Sequence, residues 1–429
     1  MPHATRHFLF LQGPHGPFFS RLSGTLRAAG CQTWRVGFNK GDEVFWSCKE
    51  SFIAFSGQHA DWPALFEQLV AKNQITDVVL YGDTRPIHAQ AIKTSREIGL
   101  RIHVFEEGYL RPYWVSYERG GSNGHSRLMD MSVAQMRADL DGSVLAQTEA
   151  PASWGDMRQH IFYGAVYHFF VMVWNHKYRA FRPHRALPVG KEFQLYVKRL
   201  LTLPLTALER RIATTRILRG GFPYHLCLLQ LEHDASFQAH SSFTSMSEFL
   251  ELVIDGFAKG APGHHHLVLK AHPLEDGRVP LRRQIKALAR ARGISNRVHY
   301  VRGGKLARLL NSARSAVTVN STAAQQVLWR GLPLKAFGAA VYDKPEFVSS
   351  QSLGDFFTDP TPPNRHAYRE YRQYLLETSQ VPGGFYSAKG RRQLLRQGVD
   401  MMLSPHDPYD ALTSGTATPR QQLTLIRSR

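Results

Sequence analysis

Short apolar runs alternate with stretches of helical period along most of this chain, and they do so in two separate passages. In the first, residues 8–11 read as a strand, 18–29 as a helix and 32–38 as a second strand. Residues 62–73 look helical, 75–81 are apolar and β-branched like a strand, 87–98 form a helix just after Pro86, and 101–105 give the next strand. The pattern restarts after residue 220. Strands are expected over 225–231, 266–270, 298–301 and 316–319, with helices at 246–257, 281–292 and 322–330. In the first of these helices Phe249, Leu250, Val253 and Phe257 share one face, and the basic second one stops at Gly293. Leu306, Leu309, Leu310 and Ala313 recur at helical spacing and predict one more helix.

Strands alternating with helices imply parallel sheets. The fold class is therefore α/β, with two Rossmann-like halves. Four consecutive segments follow: residues 1–149, a helical insertion over 150–220, residues 221–350, and a helical extension over 351–429. Past residue 350 the chain is rich in Pro, Arg and Tyr, with helical potential near 368–378 and 388–402 and a tail that reads as disordered. Two nucleotide-binding-like halves with a cleft between them make a GT-B-like arrangement, that of the glycosyltransferase-B enzymes.

Composition narrows this. The 429 residues are 43% hydrophobic, enough for two large cores. Cys31, Cys48 and Cys227 have no zinc spacing and no pairing pattern, which suggests a reducing compartment. The apolar start at 8–11 is too short for a secretory signal, and no run is long enough to span a bilayer.

Charge changes the picture more. Lys and Arg exceed Asp and Glu by 53 to 34, a net +19. Residues 176–220 hold eleven of the basic side chains, Arg179, Arg182, Arg185 and Arg199 among them, against Glu192 and Glu209. An aromatic run over 161–174 precedes them. Aromatics beside Lys and Arg fit a surface that meets anionic lipid, and equally a buried helix followed by a solvated basic pair. No zinc finger, RNP-type motif or basic repeat argues for nucleic acid.

Candidate chemistry gathers at strand ends, where open α/β sheets bind ligands. Glu106-Glu107-Gly108-Tyr109-Leu110-Arg111-Pro112 follows the strand at 101–105. Adjacent carboxylates on extended backbone point to opposite sides, so one faces the cleft as a base or nucleophile and the other pairs with a basic group. Gly13, in Gln12-Gly13-Pro14-His15-Gly16-Pro17, would let backbone approach a ligand, without the dinucleotide spacing. Asp83 and Arg85 end another strand, where Asp83 or Thr84 also suits a helix cap. In the second half, Lys270 and His272 of Lys270-Ala271-His272-Pro273 suit a departing phosphate. Asn320, Ser321, Thr322 and Gln325 form a strand-to-helix turn that reads as an anion site or a plain cap. Gly120-Gly121-Ser122-Asn123-Gly124 matches a nucleophile elbow in letters only, because polar residues flank it. His264-His265-His266 has no local acidic partner for a metal.

The opening Phe8–Pro14 stretch with Phe18-Phe19, the Glu-Glu-Gly-Tyr-Leu-Arg-Pro run, the Gln230–His240 stretch with Ser241, Lys270-Ala271-His272-Pro273 and Asn320-Ser321-Thr322 with Gln325 together resemble the capsule polysaccharide biosynthesis and export family of KpsS/LipB type, over about residues 7–350. The resemblance implies a retaining β-Kdo transferase. It would move 3-deoxy-D-manno-oct-2-ulosonic acid (Kdo) from CMP-Kdo to (lyso)phosphatidylglycerol, starting the poly-Kdo linker of a capsule. Glu107 falls where chain-extending relatives place a catalytic Asp, and Arg111 matches the arginine after it. Lys270 and His272, with Ser321, Thr322 and Gln325, are expected to hold CMP, and Gly13, Arg85, Glu106 and Asn320 to line substrate. No Asp-x-Asp signature is present, so metal-independent chemistry without a cofactor is expected. The implied location is peripheral, on the cytoplasmic face of the inner membrane. Implied partners are the anionic membrane surface, the poly-Kdo chain-extending transferase and the capsule export machinery. The other reading is a non-catalytic export scaffold that hands glycolipid to a transporter.

Overall fold

The structure is a computed structural model that describes residues 5–140, 156–178, 180, 189–275 and 277–416. Its strands are β1 (His7–Phe10), β2 (Gln32–Gly37), β3 (Phe52–Ala54), β4 (Asp77–Tyr81), β5 (Arg101–Glu107), β6 (Trp114–Arg119), β7 (Tyr224–Leu228), β8 (His266–Lys270), β9 (Val298–Val301), β10 (Ala313–Thr318), β11 (Leu334–Ala336) and β12 (Gln380–Pro382). They form two sheets, in the orders β12-β6-β5-β4-β1-β2-β3 and β11-β10-β7-β8-β9. The second sheet is parallel throughout; in the first, β6 and β12 run antiparallel to their neighbours. The α/β class and the two Rossmann-like halves are as the alternation predicts.

Period-two alternation explains why both faces of the first sheet are covered. Phe8 and Phe10 point into a cluster with Phe18, Phe19, Leu22 and Phe105, while Leu9 and Leu11 point into another with Phe38, Trp62, Phe66 and Val78. The second sheet packs on the helix Met246–Gly260, whose Phe249, Leu250, Val253 and Phe257 are all buried, as their spacing predicts.

The two compact units do not follow the four consecutive segments. One comprises the chain up to Arg127, residues 137–190 and everything from Gln373; the other comprises 128–136 and 191–372. The C-terminal extension thus returns to the first sheet. Gln380 and Val381 pair with Ser116 and Val115, and the helix Ala388–Leu403 lays Leu394, Val399 and Met402 on the Phe8/Phe10 face. The insertion divides likewise. The helix Asp156–Val173 belongs to the first unit, and nearly all of Val189–Arg219 to the second. Arg179, Arg182, Arg185 and the tail from residue 417 lie outside the described residues.

One expected helix is shorter than its pattern. It ends at Leu310, and Ala313 opens β10 instead of closing the helical stripe. No helix among the described residues is long and apolar enough to cross a membrane.

Candidate active site

Each sheet has a point where strand order reverses, and polar side chains meet there in both. In the first unit the reversal lies between β1 and β4. Gln12, just past β1, accepts from Arg85 Nη1, just past β4, at 3.3 Å. Gln12 Nε2 donates to the buried Asp42 at 3.2 Å, and Asp42 also pairs with Arg35 at 3.2 Å. Arg35 lies under Trp46 with Nε and Nη1 unpartnered among the described residues, and burial lowers its pKa, with Asp42 opposing.

Glu106 and Glu107 end β5 and diverge, as extended backbone requires. Glu106 Oε1 accepts from the Glu107 N–H at 3.0 Å. Its other oxygen lies where a Cβ on Gly82 would come within 2.8 Å, so Glu106 closes over the turn after β4. Glu107 meets two phenols. Tyr81 Oη donates to its Oε1 at 3.4 Å, and Tyr386 hydrogen-bonds with both Glu107 and Tyr81. Burial first, then the Glu107 charge, pushes the Tyr386 phenol well above its ordinary range, so it stays a donor. His160 stacks on Tyr386 at 4.2 Å, tying the helix Asp156–Val173 to this group. Neither phenol was legible in the sequence: Tyr81 reads as a strand residue, and Tyr386 is separated from it by the whole second unit.

Arg111 is exposed, and its Nε donates to Gly108 O at 3.1 Å, bracing its own loop; no carboxylate among the described residues pairs with it. The loop is held from below by Glu118, which accepts from Tyr109 at 2.5 Å, from Tyr409 at 2.8 Å and from Ser126. Burial raises Glu118 to about 7 against these donors. Gly13 packs closely on Phe19: a Cβ there would stand 2.6 Å from its ring. At Gly16, whose φ is +108°, a Cβ would stand 3.0 Å from the Tyr163 ring, so the glycine turn is roofed by the aromatic helix. Asp83 is no helix cap; it accepts from Ser122 N at 2.7 Å and pairs with His125 at 3.2 Å. Ser122 therefore sits on a loop beyond β6, without the strand–turn–helix of a nucleophile elbow.

In the second unit the reversal lies between β7 and β10. Gln230 and Asn320 follow those strands and clasp one another: Gln230 Nε2 donates to Asn320 Oδ1 at 2.8 Å, and Asn320 N donates to Gln230 Oε1 at 2.9 Å. Asn320 Nδ2 donates to Ser236 O and His240 O, at 2.9 and 3.2 Å. Both of its amide hydrogens are engaged, so Asn320 shapes the turn and has no donor left for substrate. Gln325 is similar, buried between the Tyr371 and Tyr368 hydroxyls at 2.9 and 2.8 Å. Ser321 Oγ accepts from Ala323 N at 3.2 Å, and Thr322 is half-buried on the same turn. The helix beyond, Ala324–Trp329, has only six residues, too few for much of a dipole.

Lys270 ends β8 beside β7, almost wholly buried. Burial, with the Arg210 charge adding to it, lowers its pKa to about 8. His272 Nδ1 accepts from Leu274 N at 3.1 Å. That contact places the proton of a neutral ring on Nε2. The triple histidine lies at the opposite, amino end of this sheet: His265 meets His225 at 3.0 Å, and His266 meets His299 at 2.8 Å.

A family model described as "Capsule polysaccharide biosynthesis protein" matches residues 76–386. The capsule polysaccharide modification protein LipB of Neisseria meningitidis (serogroup A / serotype 4A) is 29% identical over 391 residues, 90% of this chain and 92% of that protein. The capsule polysaccharide export protein KpsS of Escherichia coli is 29% identical over 385 residues, 89% of this chain and 97% of that one. Among solved structures, KpsC of Thermosulfurimonas dismutans, a beta Kdo 2,7 transferase, aligns with a TM-score of 0.45 at 11% identity, covering 92% of this chain and 100% of that one. A glycosyltransferase from Rickettsia africae aligns at 0.37 and 9%, covering 96% and 100%. With the model spanning most of its length and two capsule proteins matching nearly end to end, this chain belongs to the capsule polysaccharide biosynthesis protein family.

Proposed function

We propose that the chain is a glycosyltransferase that moves β-Kdo from CMP-Kdo to (lyso)phosphatidylglycerol, retaining configuration, at the cytoplasmic face of the inner membrane. The observation that carries this reading is membership of the capsule family across most of the chain. The strand ends support it. In the reaction the bond from the sugar C2 to the CMP phosphate oxygen breaks and its electron pair leaves with CMP. A hydroxyl oxygen of the acceptor bonds to C2 and gives up its proton. Retention needs two successive displacements, or attack on the face the phosphate vacates. Glu107 is the carboxylate for either course, as nucleophile or as proton acceptor, with Tyr81 and Tyr386 steadying its charge. Lys270 and His272, at the end of β8, are assigned to the charge that grows on departing CMP. Chemistry without a metal ion remains part of the proposal, side-chain cations taking the place of one.

Mass spectrometry of a fluorescent lysophosphatidylglycerol, incubated with the chain and CMP-Kdo regenerated in place, tests this. The expected product is heavier by one Kdo and absent with Glu107→Gln. A folded wild-type chain that leaves acceptor and donor unchanged would overturn the proposal. The name of the Escherichia coli relative favours a second reading, a glycolipid-handing export protein without catalysis. Lys270→Met and His272→Ala would then leave glycolipid binding intact and have no turnover to remove.

A further inference from the structure

The helix Val189–Arg219 was expected to be a basic segment, but its outer face is apolar. Phe193, Val197, Leu201, Leu205, Leu208 and Ile212 recur every three or four residues and are 37–75% exposed. At 3.6 residues per turn they fill a band roughly 120° wide and run about 28 Å along the helix. The same geometry puts Arg211 at one border of the band and Lys191, Lys198 and Arg216 along the other, all four exposed. The opposite face is already seated on the second unit. Thr214 and Ile217 are buried, Glu209 accepts from Arg282 at 2.6 Å, and the Arg210 stem fills the space beside Gly304, 2.9 Å from where a Cβ would be.

We propose that this stripe is a lipid-contact surface, on which the helix lies in the plane of an anionic membrane with its apolar residues at the acyl boundary and its border cations at the phosphates. The argument rests on charge and shape. An apolar band with cations on both borders is how interfacial helices meet anionic lipid, and this helix is not apolar enough to span instead. A second copy of the chain, itself at net +19, is repelled by those borders. The surface deepens the reading under Proposed function, because the field that disfavours the Lys270 charge includes that of Arg210, on the inner face of the same helix. Lipid under the stripe would lie one helix diameter, roughly 10 Å, from that side chain.

Flotation of the full chain with phosphatidylcholine vesicles, with and without phosphatidylglycerol, tests the surface. The wild type is expected to float only with the anionic lipid. Leu201→Asp with Leu205→Asp should lower the bound fraction at least about tenfold, with an unchanged circular dichroism spectrum and unchanged turnover of a short-chain, water-soluble phosphatidylglycerol. Lys198→Ser with Arg211→Ser should weaken binding to anionic vesicles. Equal flotation of the Leu variant and the wild type would overturn the surface. So would binding indifferent to phosphatidylglycerol, or a wild-type dimer that the Leu variant dissociates. A wild type that floats but transfers no sugar removes the proposed reaction and leaves the surface standing. One that transfers sugar to soluble acceptor without floating removes the surface alone.

Discussion

Lys270 sits where its charge is disfavoured, between a buried strand end and Arg210, and that gives CMP binding a pH signature. With a pKa near 8 in the free protein, Lys270 is mostly neutral at pH about 9, and a phosphate bound against it draws a proton back. Proton uptake on CMP binding should therefore approach one at pH about 9 and vanish by pH about 6. Calorimetry in buffers of different ionisation enthalpy reads it directly, and Lys270→Met should abolish it. Glu118 works in the opposite sense. Its carboxyl is raised to about 7 in the fold from an ordinary 4.5, so the native state holds the extra proton between those values. Stability should fall as pH rises from about 4.5 to 7, by no more than about 3 kcal/mol. Urea midpoints at the two ends would show the slope, and Glu118→Gln should flatten it. At this scale the sequence was informative where a residue ends a strand. Lys270, His272 and Glu107 all lie where the motifs put them. It was misleading where a motif residue turns inward, as Asn320 and Gln325 do, because a run of letters does not say which hydrogens a neighbouring loop will take.

Among the elements, strands with continuous apolar runs were legible: β1, β2, β4, β5 and β7–β10 all overlap the expected spans. β6 and β12 were not, because β12 is three residues long and its partner lies more than 260 positions away in sequence. The helix Asp156–Val173 was visible as an aromatic run, but not which of its faces does what. One face presents Phe162 and Phe169 to solvent; the other sets Tyr163 over Gly16, Tyr167 over Gly41 and His160 on Tyr386. Gly41 is where that docking is tightest, since a Cβ there would stand 2.5 Å from the Tyr167 ring. Gly41→Ala should displace the ring, which also bonds Asn39 at 2.6 Å and Asp42 at 3.2 Å. The expected loss is about 1–3 kcal/mol, read as a lower thermal midpoint. Any fall in turnover beyond that loss would show that the roofing helix positions Glu107 through Tyr386.

At the scale of the molecule, the chain beyond Gln373 completes the first unit, and cutting it tests the division into units. Val381, Phe385, Tyr386, Leu394, Val399, Met401 and Met402 all lie in the core that also holds Phe8, Phe10 and Phe105. Polar ties run the same way: Arg6 donates to Met402 O at 2.7 Å, Arg119 to Met401 O at 2.9 Å and Ser404 O at 2.7 Å, and Tyr409 to Glu118. Burying one large apolar side chain is worth about 1.5–3 kcal/mol. Losing seven of them, roughly 10–20 kcal/mol, matches or exceeds the whole stability of an ordinary domain, about 5–15 kcal/mol. A chain ending at Arg372 should therefore lose the cooperative unfolding of the first unit and bind a hydrophobic dye. The second unit, whose sheet and the helix Met246–Gly260 lie entirely before the cut, should still melt as a unit. Scanning calorimetry separates the two cases: one surviving transition supports the division, whereas an unchanged first-unit transition would show that the returning segment is dispensable. The truncated chain would also lack Tyr386. If its first unit stayed folded, Glu107 would have to act with Tyr81 alone, and turnover would then measure what the second phenol contributes.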